Sequence, residues 1–348
     1  MPQSPIHHVH EAEGARFVDF GGWTMPVQYE GVLAEHAAVR ESVGIFDVSH
    51  LGRFEVIGPD ATDTLRRELC NDITKVEPGR AQYTRALNDR GGVEDDIIVW
   101  RLDDDRYWVM PNGTNSDEIV ARFDESSGSD TLVEDIRDSS VLFAVQGPAA
   151  GRVIEAVLGA VPGRFRVVTT EYRDTEVVAA GTGYTGERGA EIWAPIAVAA
   201  ALWTDLREAG ATACGLGSRD TLRLEMGFPL WGQDLDEDTT PLEAGLGWVV
   251  AWDHDFVGRD ALLAQKGNLT RQLVAFTTEG RAIPRHGYEV TTSSGSGVVS
   301  SGNFSPTLGH GIGMADVSPP MAESDTIEVT IRKDRVPATR VTLPFLER

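Results

Sequence analysis

The length, composition and charge of the chain exclude several classes of protein. Its 348 residues, 41% of them hydrophobic, are enough for two or three domains with buried cores. Acidic residues outnumber basic ones 54 to 31, and the resulting charge of −23 would repel nucleic acid and anionic membranes. No stretch approaches the ~18 apolar residues of a membrane span, and the N-terminus lacks a signal-peptide pattern, so a cytoplasmic protein or a mature form after processing is expected.

The basic residues are nearly all arginine, since the only lysines are Lys75, Lys266 and Lys333. An acidic chain poor in lysine suggests a saline cytoplasm, where surface carboxylates support solubility. The cysteines, Cys70 and Cys214, are far apart and lack metal-ligand spacing, so both are expected to be small core residues.

The first third of the chain mixes helical and extended patterns. Residues 14–29 combine small residues, aromatics and a Met-Pro break, and no element is assigned to them. Apolar spacing predicts helices at 33–42, 61–69 and 116–123, and strands at 53–57, 81–87, 97–102 and 106–111. The strands 81–87 and 97–102 are expected to form a hairpin.

The connection of that hairpin carries three consecutive carboxylates. Gly91-Gly92 marks a turn, and Glu94, Asp95 and Asp96 follow directly before the apolar strand. Side chains alternate along an extended chain, so Asp95 points to one face and Glu94 and Asp96 to the other. At least one acid should therefore point inward, where a charge needs a partner. The alternative is a solvated acidic turn.

The second half of the chain ends in a region of a different kind. Helices are predicted at 149–157, 197–209 and 220–225, and strands at 141–146, 175–180 and 190–193. From Gln272 onward short strands alternate with Gly, Ser and Pro turns, which predicts a small all-β barrel or sandwich. The fold class is therefore α+β, with domains predicted at 1–270 and 271–348.

A glycine-rich segment imitates a nucleotide-binding motif. Gly181, Gly183 and Gly186 match the dinucleotide fingerprint by letter, but the fingerprint needs a helix to begin at the third glycine. A strand pattern follows instead, which favours a glycine-rich hairpin. Such a hairpin could carry Tyr184 and Glu191 into a pocket, where an aromatic ring stacks on a heterocycle and a carboxylate accepts N–H donors.

The histidines do not predict a metal site. His7, His8 and His10 form a terminal tract without accompanying carboxylates or thiols at ligand spacing, and no metal is expected. His50, beside a turn, is interpreted as a hydrogen-bonded structural histidine rather than a base.

Several segments together resemble the aminomethyltransferase (glycine cleavage system T-protein) family over nearly the whole chain. They include the Gly-Gly-Trp-Thr-Met-Pro run after Phe20 and the Asp-Val-Ser-His run that ends at His50. The matching segments are 20–29, 44–50, 82–84, 91–92, 146–148, 183–187, 217–225, 232–235, 239–243, 256–262 and 301–309.

This resemblance implies a three-domain cloverleaf around a central channel that holds tetrahydrofolate. By motif, Asp96 is similar to the family's essential acid, whereas Glu94 and Asp95 keep the interpretation of a solvated turn. Glu191 resembles the pterin-binding glutamate and Arg219 the arginine near the glutamate end of the folate, the alternative being a surface salt bridge of Arg219 with Asp220 or Glu225. The remaining implied folate-site residues are Tyr83, Asn112, Tyr184 and Trp248. Leu51, Pro111 and Gly113 differ from the residues that are common in the family at these positions, and the resemblance implies that they change the local shape of the pocket.

The family reaction implies a carrier partner. An aminomethyl group on the lipoyl arm of the H-protein loses ammonia, and its methylene passes to tetrahydrofolate. Two alternatives stay open: a folate-dependent demethylase that yields 5-methyltetrahydrofolate without a carrier, and a non-enzymatic folate-binding protein. The second alternative lacks its Lys-Gly-Cys-Tyr-x-Gly-Gln-Glu motif here, since Gly215-Leu216-Gly217 follows Cys214. A flavin-linked oxidase is excluded because the chain has no room for a flavin domain.

Overall fold

The structure, a computed structural model, describes residues 1–292, 294–323 and 326–348. Its helices are α1 (His7–Ala12), α2 (Val32–Glu41), α3 (Ala61–Glu68), α4 (Ser116–Ser126), α5 (Ala150–Leu158), α6 (Ile196–Glu208), α7 (Leu216–Glu225), α8 (Arg259–Gln265) and α9 (Pro319–Ala322). The helices predicted at 33–42, 61–69, 116–123, 149–157 and 197–209 are confirmed, and α7 begins four residues earlier than its prediction.

The strands form a hairpin, two open sheets and a barrel. They are β1 (Arg16–Phe20), β2 (Trp23–Gln28), β3 (Gly44–Asp47), β4 (Phe54–Ile57), β5 (Arg80–Leu87), β6 (Val93–Asp103), β7 (Arg106–Met110), β8 (Leu132–Asp135), β9 (Ser140–Gln146), β10 (Val167–Tyr172), β11 (Thr175–Ala180), β12 (Gly189–Pro195), β13 (Thr212–Ala213), β14 (Gln272–Thr278), β15 (Glu289–Thr292), β16 (Gly295–Ser305), β17 (His310–Val317), β18 (Thr326–Ile331) and β19 (Asp334–Val341). The β1–β2 hairpin lies in residues 14–29, to which no element is assigned from the sequence.

The chain divides into two compact units. The first comprises residues 1–84 and 96–219, and the second comprises residues 85–95 and 220–348. The domain division at 270/271 stays a prediction. Within the described residues, no helix is long and apolar enough to cross a membrane.

The first unit is built around two β-sheets. Its six-stranded sheet has the order β10-β11-β12-β9-β3-β13, and its five-stranded sheet has the order β5-β6-β7-β4-β8. On one face of β12, Ala190, Ile192 and Ala194 join a core cluster that includes Trp203 and Leu206 of α6. Because side chains alternate along the strand, Glu191 and Trp193 point to the opposite face.

That opposite face of the six-stranded sheet meets the five-stranded sheet. The ring of Trp193 lies 4.7 Å from the ring of Trp108, which in turn lies 6.1 Å from Trp100. Trp100 and Asp96 are four residues apart on β6 and so share one face of that strand. The face that carries Asp96 is therefore turned toward the face that carries Glu191.

The second unit contains the predicted barrel. Its strands close in the order β14-β17-β16-β15-β18-β19, so the all-β prediction for the tail is confirmed as a barrel. The last six residues of α7 belong to this unit and bind it through buried polar groups. Arg223 pairs with Asp234 at 3.0 Å, and Glu225 accepts hydrogen bonds from Ser305 and Thr307.

Candidate functional site

Asp96 is held by two side chains of the same unit. Asn112 Nδ2 donates to Asp96 Oδ1 at 2.8 Å, and the Tyr83 hydroxyl donates to Asp96 Oδ2 at 3.1 Å. Asp96 itself remains partly exposed. Each carboxylate oxygen therefore has one fixed donor and keeps acceptor capacity for a further group.

The predicted alternation of the three acids is correct, but the assignment made for one of them is wrong. Asp95 is 0% exposed, whereas Glu94 and Asp96 are partly exposed. The interpretation of Asp95 as part of a solvated turn is therefore corrected. The turn ends one residue before β6 begins at Val93, so all three acids already lie within the strand and alternate between its faces.

A second polar cluster lies around the glycine-rich hairpin. Glu191 is 8% exposed, and its Oε2 accepts a hydrogen bond from the Thr182 hydroxyl at 2.5 Å. Its Oε1 accepts no hydrogen bond from a described residue. One carboxylate oxygen is thus fixed and the other remains available as an acceptor.

Arg219 completes this cluster. Its guanidinium carbon lies 4.8 Å from the centre of the Tyr184 ring, in cation–π geometry. Burial lowers the pKa of Arg219 from its ordinary value, while Glu191 and Tyr184 oppose that shift. Its Nη1 is buried and has no hydrogen-bond partner among the described residues, which marks a donor that a bound acceptor could satisfy.

The alternative of a surface salt bridge for Arg219 is wrong. Arg219 makes no ion pair with a described residue. Asp220 instead pairs with Arg223 at 2.8 Å, and Glu225 accepts the hydrogen bonds from β16 and the turn that follows it.

The glycines of residues 181–189 allow close packing against Gln146. A Cβ on Gly183 would lie 2.0 Å from Gln146 Oε1. That oxygen accepts from the Thr185 hydroxyl at 2.9 Å, and Gln146 Nε2 donates to the Thr182 carbonyl at 3.1 Å. Because β11 and β12 pair antiparallel on either side of the segment, the predicted hairpin is confirmed and the dinucleotide motif is rejected. Sequence reasoning missed Gln146 and Thr182, although the Gln-Gly-Pro run was visible.

His50 lies near both clusters and differs from its prediction. It is 6% exposed, its ring makes no hydrogen bond to a described residue, and its Nδ1 is buried. The interpretation as a hydrogen-bonded histidine is therefore wrong. Burial lowers the pKa of His50 to about 3, Arg219 adds to the shift, and Asp47 opposes it. The imidazole is consequently neutral at ordinary pH.

The N-terminal histidines His7, His8 and His10 lie in helix α1. His10 of α1 is 0% exposed, and its Nε2 lies 2.8 Å from Asp47 Oδ2. The Tyr29 hydroxyl lies 2.9 Å from the Nδ1 of His10. Burial alone would raise the pKa of Asp47, but His10, Ser4 and Ser49 lower it to about 2. This network anchors the segment before His50, and the sequence offered no spacing signal for it.

Trp248 is the predicted site residue that lies in the second unit. It occupies the short turn Gly247–Val249 and is 71% exposed. Tyr83, Asp96, Asn112, Tyr184, Glu191 and Arg219 all belong to the first unit.

Comparison with known proteins agrees with this architecture. A family described as the GCVT N-terminal domain matches residues 6–254, and the glycine cleavage T-protein C-terminal barrel domain matches residues 271–347. An aminomethyltransferase of Rubrobacter xylanophilus is 44% identical, covering 100% of this chain and 95% of that protein. A probable aminomethyltransferase of Halobacterium salinarum is 43% identical over 99% of both chains. The crystal structure of aminomethyltransferase T from Bartonella henselae superposes with a TM-score of 0.92 at 32% identity, covering 99% of this chain and 98% of that one.

The chain belongs to the glycine cleavage T-protein family. It is an enzyme of the aminomethyltransferase class, and this assignment is favoured over the demethylase and the non-enzymatic folate-binding protein.

Proposed function

We propose that the enzyme takes the methylene group of an aminomethyl-lipoyl arm on an H-protein and transfers it to tetrahydrofolate, with release of ammonia. The observation that supports this most strongly is the clamped, partly exposed carboxylate of Asp96, which Asn112 and Tyr83 hold at 2.8 and 3.1 Å. Family membership supports tetrahydrofolate and the H-protein as substrates.

Asp96 is the proposed catalytic acid. Cleavage of the C–N bond releases ammonia and cleavage of the C–S bond releases the reduced lipoyl thiol, while N5 and then N10 of the folate capture the iminium-like carbon and lose their protons. A fixed negative charge stabilises the developing positive charge and can accept or orient a proton. Because Asn112 and Tyr83 already fix its direction, the carboxylate needs little reorganisation during the reaction.

Glu191, Tyr184 and Arg219 form the proposed folate pocket. Glu191 offers Oε1 to N–H donors of a pterin-like edge, while Thr182 fixes Oε2. Arg219 offers its Nη1, which has no hydrogen-bond partner among the described residues, to a carboxylate or carbonyl oxygen. Thr182, which bonds Glu191, and Tyr184, over which Arg219 lies, are two residues apart in the same hairpin, so we assign Glu191 and Arg219 to one pocket. The assignment of Trp248 as a folate contact stays a prediction.

A product assay tests the proposed reaction. The enzyme is incubated with tetrahydrofolate and aminomethyl-loaded H-protein, and ammonia and 5,10-methylenetetrahydrofolate are measured. Both products should appear in equal amounts and only when the lipoylated carrier is present. Formation of 5-methyltetrahydrofolate from a small methyl donor without the carrier would instead establish the demethylase.

A further inference from the structure

The buried carboxylate of Glu35 joins two separate segments of the first unit. Glu35 lies in α2 and is 0% exposed. Its Oε1 accepts hydrogen bonds from the backbone N–H groups of Tyr29 at 2.6 Å and Gly31 at 3.1 Å. Its Oε2 accepts from the N–H of Gly215 at 2.8 Å and from the Ser218 hydroxyl at 3.2 Å.

These contacts exhaust the hydrogen-bonding capacity of the carboxylate. An ionised carboxylate offers about four lone-pair sites, and the chain itself fills them. A buried carboxylate that is fully satisfied by fixed donors has no capacity left for a ligand. Its contribution to the site must therefore act through the groups that it holds.

The segments that Glu35 joins are in close backbone contact. A Cβ on Gly215 would lie 2.3 Å from the carbonyl carbon of Val27, and a Cβ on Gly217 would lie 3.1 Å from the Val27 oxygen. The Glu35 carboxylate thus stands at the point where the end of β2 meets the start of α7. Its negative charge also suits the positive end of the α7 dipole, and it adds to the burial that raises the pKa of the Cys214 thiol.

We propose that Glu35 is a positioning residue that fixes the first turn of α7 and thereby the direction of the Arg219 side chain. Arg219 follows Ser218 directly and stacks on Tyr184, and its buried Nη1 has no hydrogen-bond partner in the part of the chain that the structure describes. The inference rests on the proposed role of Arg219 in folate binding. A first turn that could rotate would move the guanidinium away from the ligand without altering Asp96.

Glu35→Gln and Ser218→Ala test this relationship in the full-length enzyme. The glutamine would direct an NH₂ group at two fixed donors, and we expect the KM for tetrahydrofolate to rise about 3- to 10-fold with kcat nearly unchanged. Ser218→Ala removes a single hydrogen bond and should raise the KM about 2-fold. If Glu35→Gln does not fold, the KM of Ser218→Ala tests the positioning role instead. An unchanged KM in a folded variant overturns the proposal.

Glu68→Gln is the matched control. Glu68 is also buried and charged, but its partners are Arg122 at 2.6 Å and Arg67, on α4 and α3. This variant should lower the melting temperature as Glu35→Gln does, yet leave the KM for tetrahydrofolate at its wild-type value. An equal rise in KM in both variants would mean that general destabilisation, rather than positioning, is being measured.

A double-mutant cycle with Arg219→Ala separates the inference from the proposed function. If Glu35 acts through Arg219, Glu35→Gln raises the KM in the wild-type background but adds nothing in Arg219→Ala. An equal effect in both backgrounds overturns the positioning role while the folate role of Arg219 stands. An unchanged KM in Arg219→Ala alone refutes that role, and the positioning proposal with it, while leaving the transfer reaction established by its products.

Discussion

Asn112 donates to Asp96 Oδ1 across 2.8 Å from a position two residues beyond the end of β7, on the side where β7 pairs with β6. Ile98 pairs with Met110 and Val99 with Val109, so continuing the same register by two residues brings Asp96 to Asn112. The hydrogen bond therefore follows from strand pairing as well as from residue type. This relationship makes the orientation of the proposed acid a property of the sheet.

Removing the Asn112 donor should weaken catalysis through Asp96. We expect Asn112→Ala to lower kcat about 10-fold, because a hydrogen bond to a charged group is lost. Tyr83→Phe should have a smaller effect, since its bond to Asp96 is longer, at 3.1 Å. Steady-state kinetics with saturating substrates measures both. The effect of Asn112→Ala should vanish in an Asp96→Asn background, and a full effect there would show that Asn112 acts independently.

Arg219 should contribute to affinity more than to turnover. Arg219→Ala removes a charged donor from the proposed folate pocket, and the Kd for tetrahydrofolate should rise about 10-fold or more. Arg219→Lys keeps the charge but loses the planar group over Tyr184. Its Kd should therefore lie between those of the wild type and Arg219→Ala. Isothermal titration provides both values. If Arg219→Lys binds tetrahydrofolate as weakly as Arg219→Ala does, the charge contributes little to the affinity.

The neutral state of His50 should appear as a pH dependence of stability. Its pKa of about 3 in the folded state lies below the value of about 6.5 expected when unfolded, so protonation favours the unfolded chain between these values. This stabilisation is complete above pH 6.5 and is lost as the pH falls toward 3. Between pH 7.5 and 5 the wild type should lose about 2 kcal/mol more unfolding free energy than His50→Gln.

Urea denaturation at the two pH values measures that difference. The glutamine variant does not titrate in this range, so it serves as the internal reference. Equal losses in the two proteins would show that His50 has an ordinary pKa in the folded state.

Gly183 should tolerate no side chain. Its Cβ would meet the buried Gln146 amide at 2.0 Å, so Gly183→Ala must displace a group that holds Thr182 and Thr185. We expect a loss of about 1–3 kcal/mol in the free energy of unfolding. Gly151→Ala is the control, because this helical glycine of α5 has its nearest neighbour at 3.7 Å and alanine favours a helix. A melting temperature unchanged by Gly183→Ala would contradict the packing argument.

The local patterns predicted much of the fold because they depend on neighbours in sequence. Helical spacing located α2, α3 and α6, and the turn-rich tail indicated the barrel. The strand alternation correctly separated Asp95 from Asp96. The burial of Asp95 could not be predicted from its neighbours in sequence, because it depends on what covers that face of β6.

The parts that the sequence did not predict depend on long-range polar contacts. His10 meets Asp47 across 37 residues, and Glu35 meets Gly215 across 180 residues. Neither pair has a spacing that a motif could capture. The resemblance to a family supplied the candidates Asp96, Glu191, Arg219, Asn112 and Tyr184, but not Thr182 or the contacts that join these residues in pairs.

The central claim is that Asp96 provides the catalytic charge, and single-turnover kinetics of Asp96→Asn beside Glu94→Gln tests it most directly. Glu94 is the neighbouring, partly exposed acid on the same strand and serves as the matched control. With saturating tetrahydrofolate and aminomethyl-loaded H-protein, Asp96→Asn should be about 100-fold slower or more with its folate Kd unchanged, and Glu94→Gln should be near wild type. Near-normal turnover by Asp96→Asn, or a comparable loss in Glu94→Gln, would contradict the assignment.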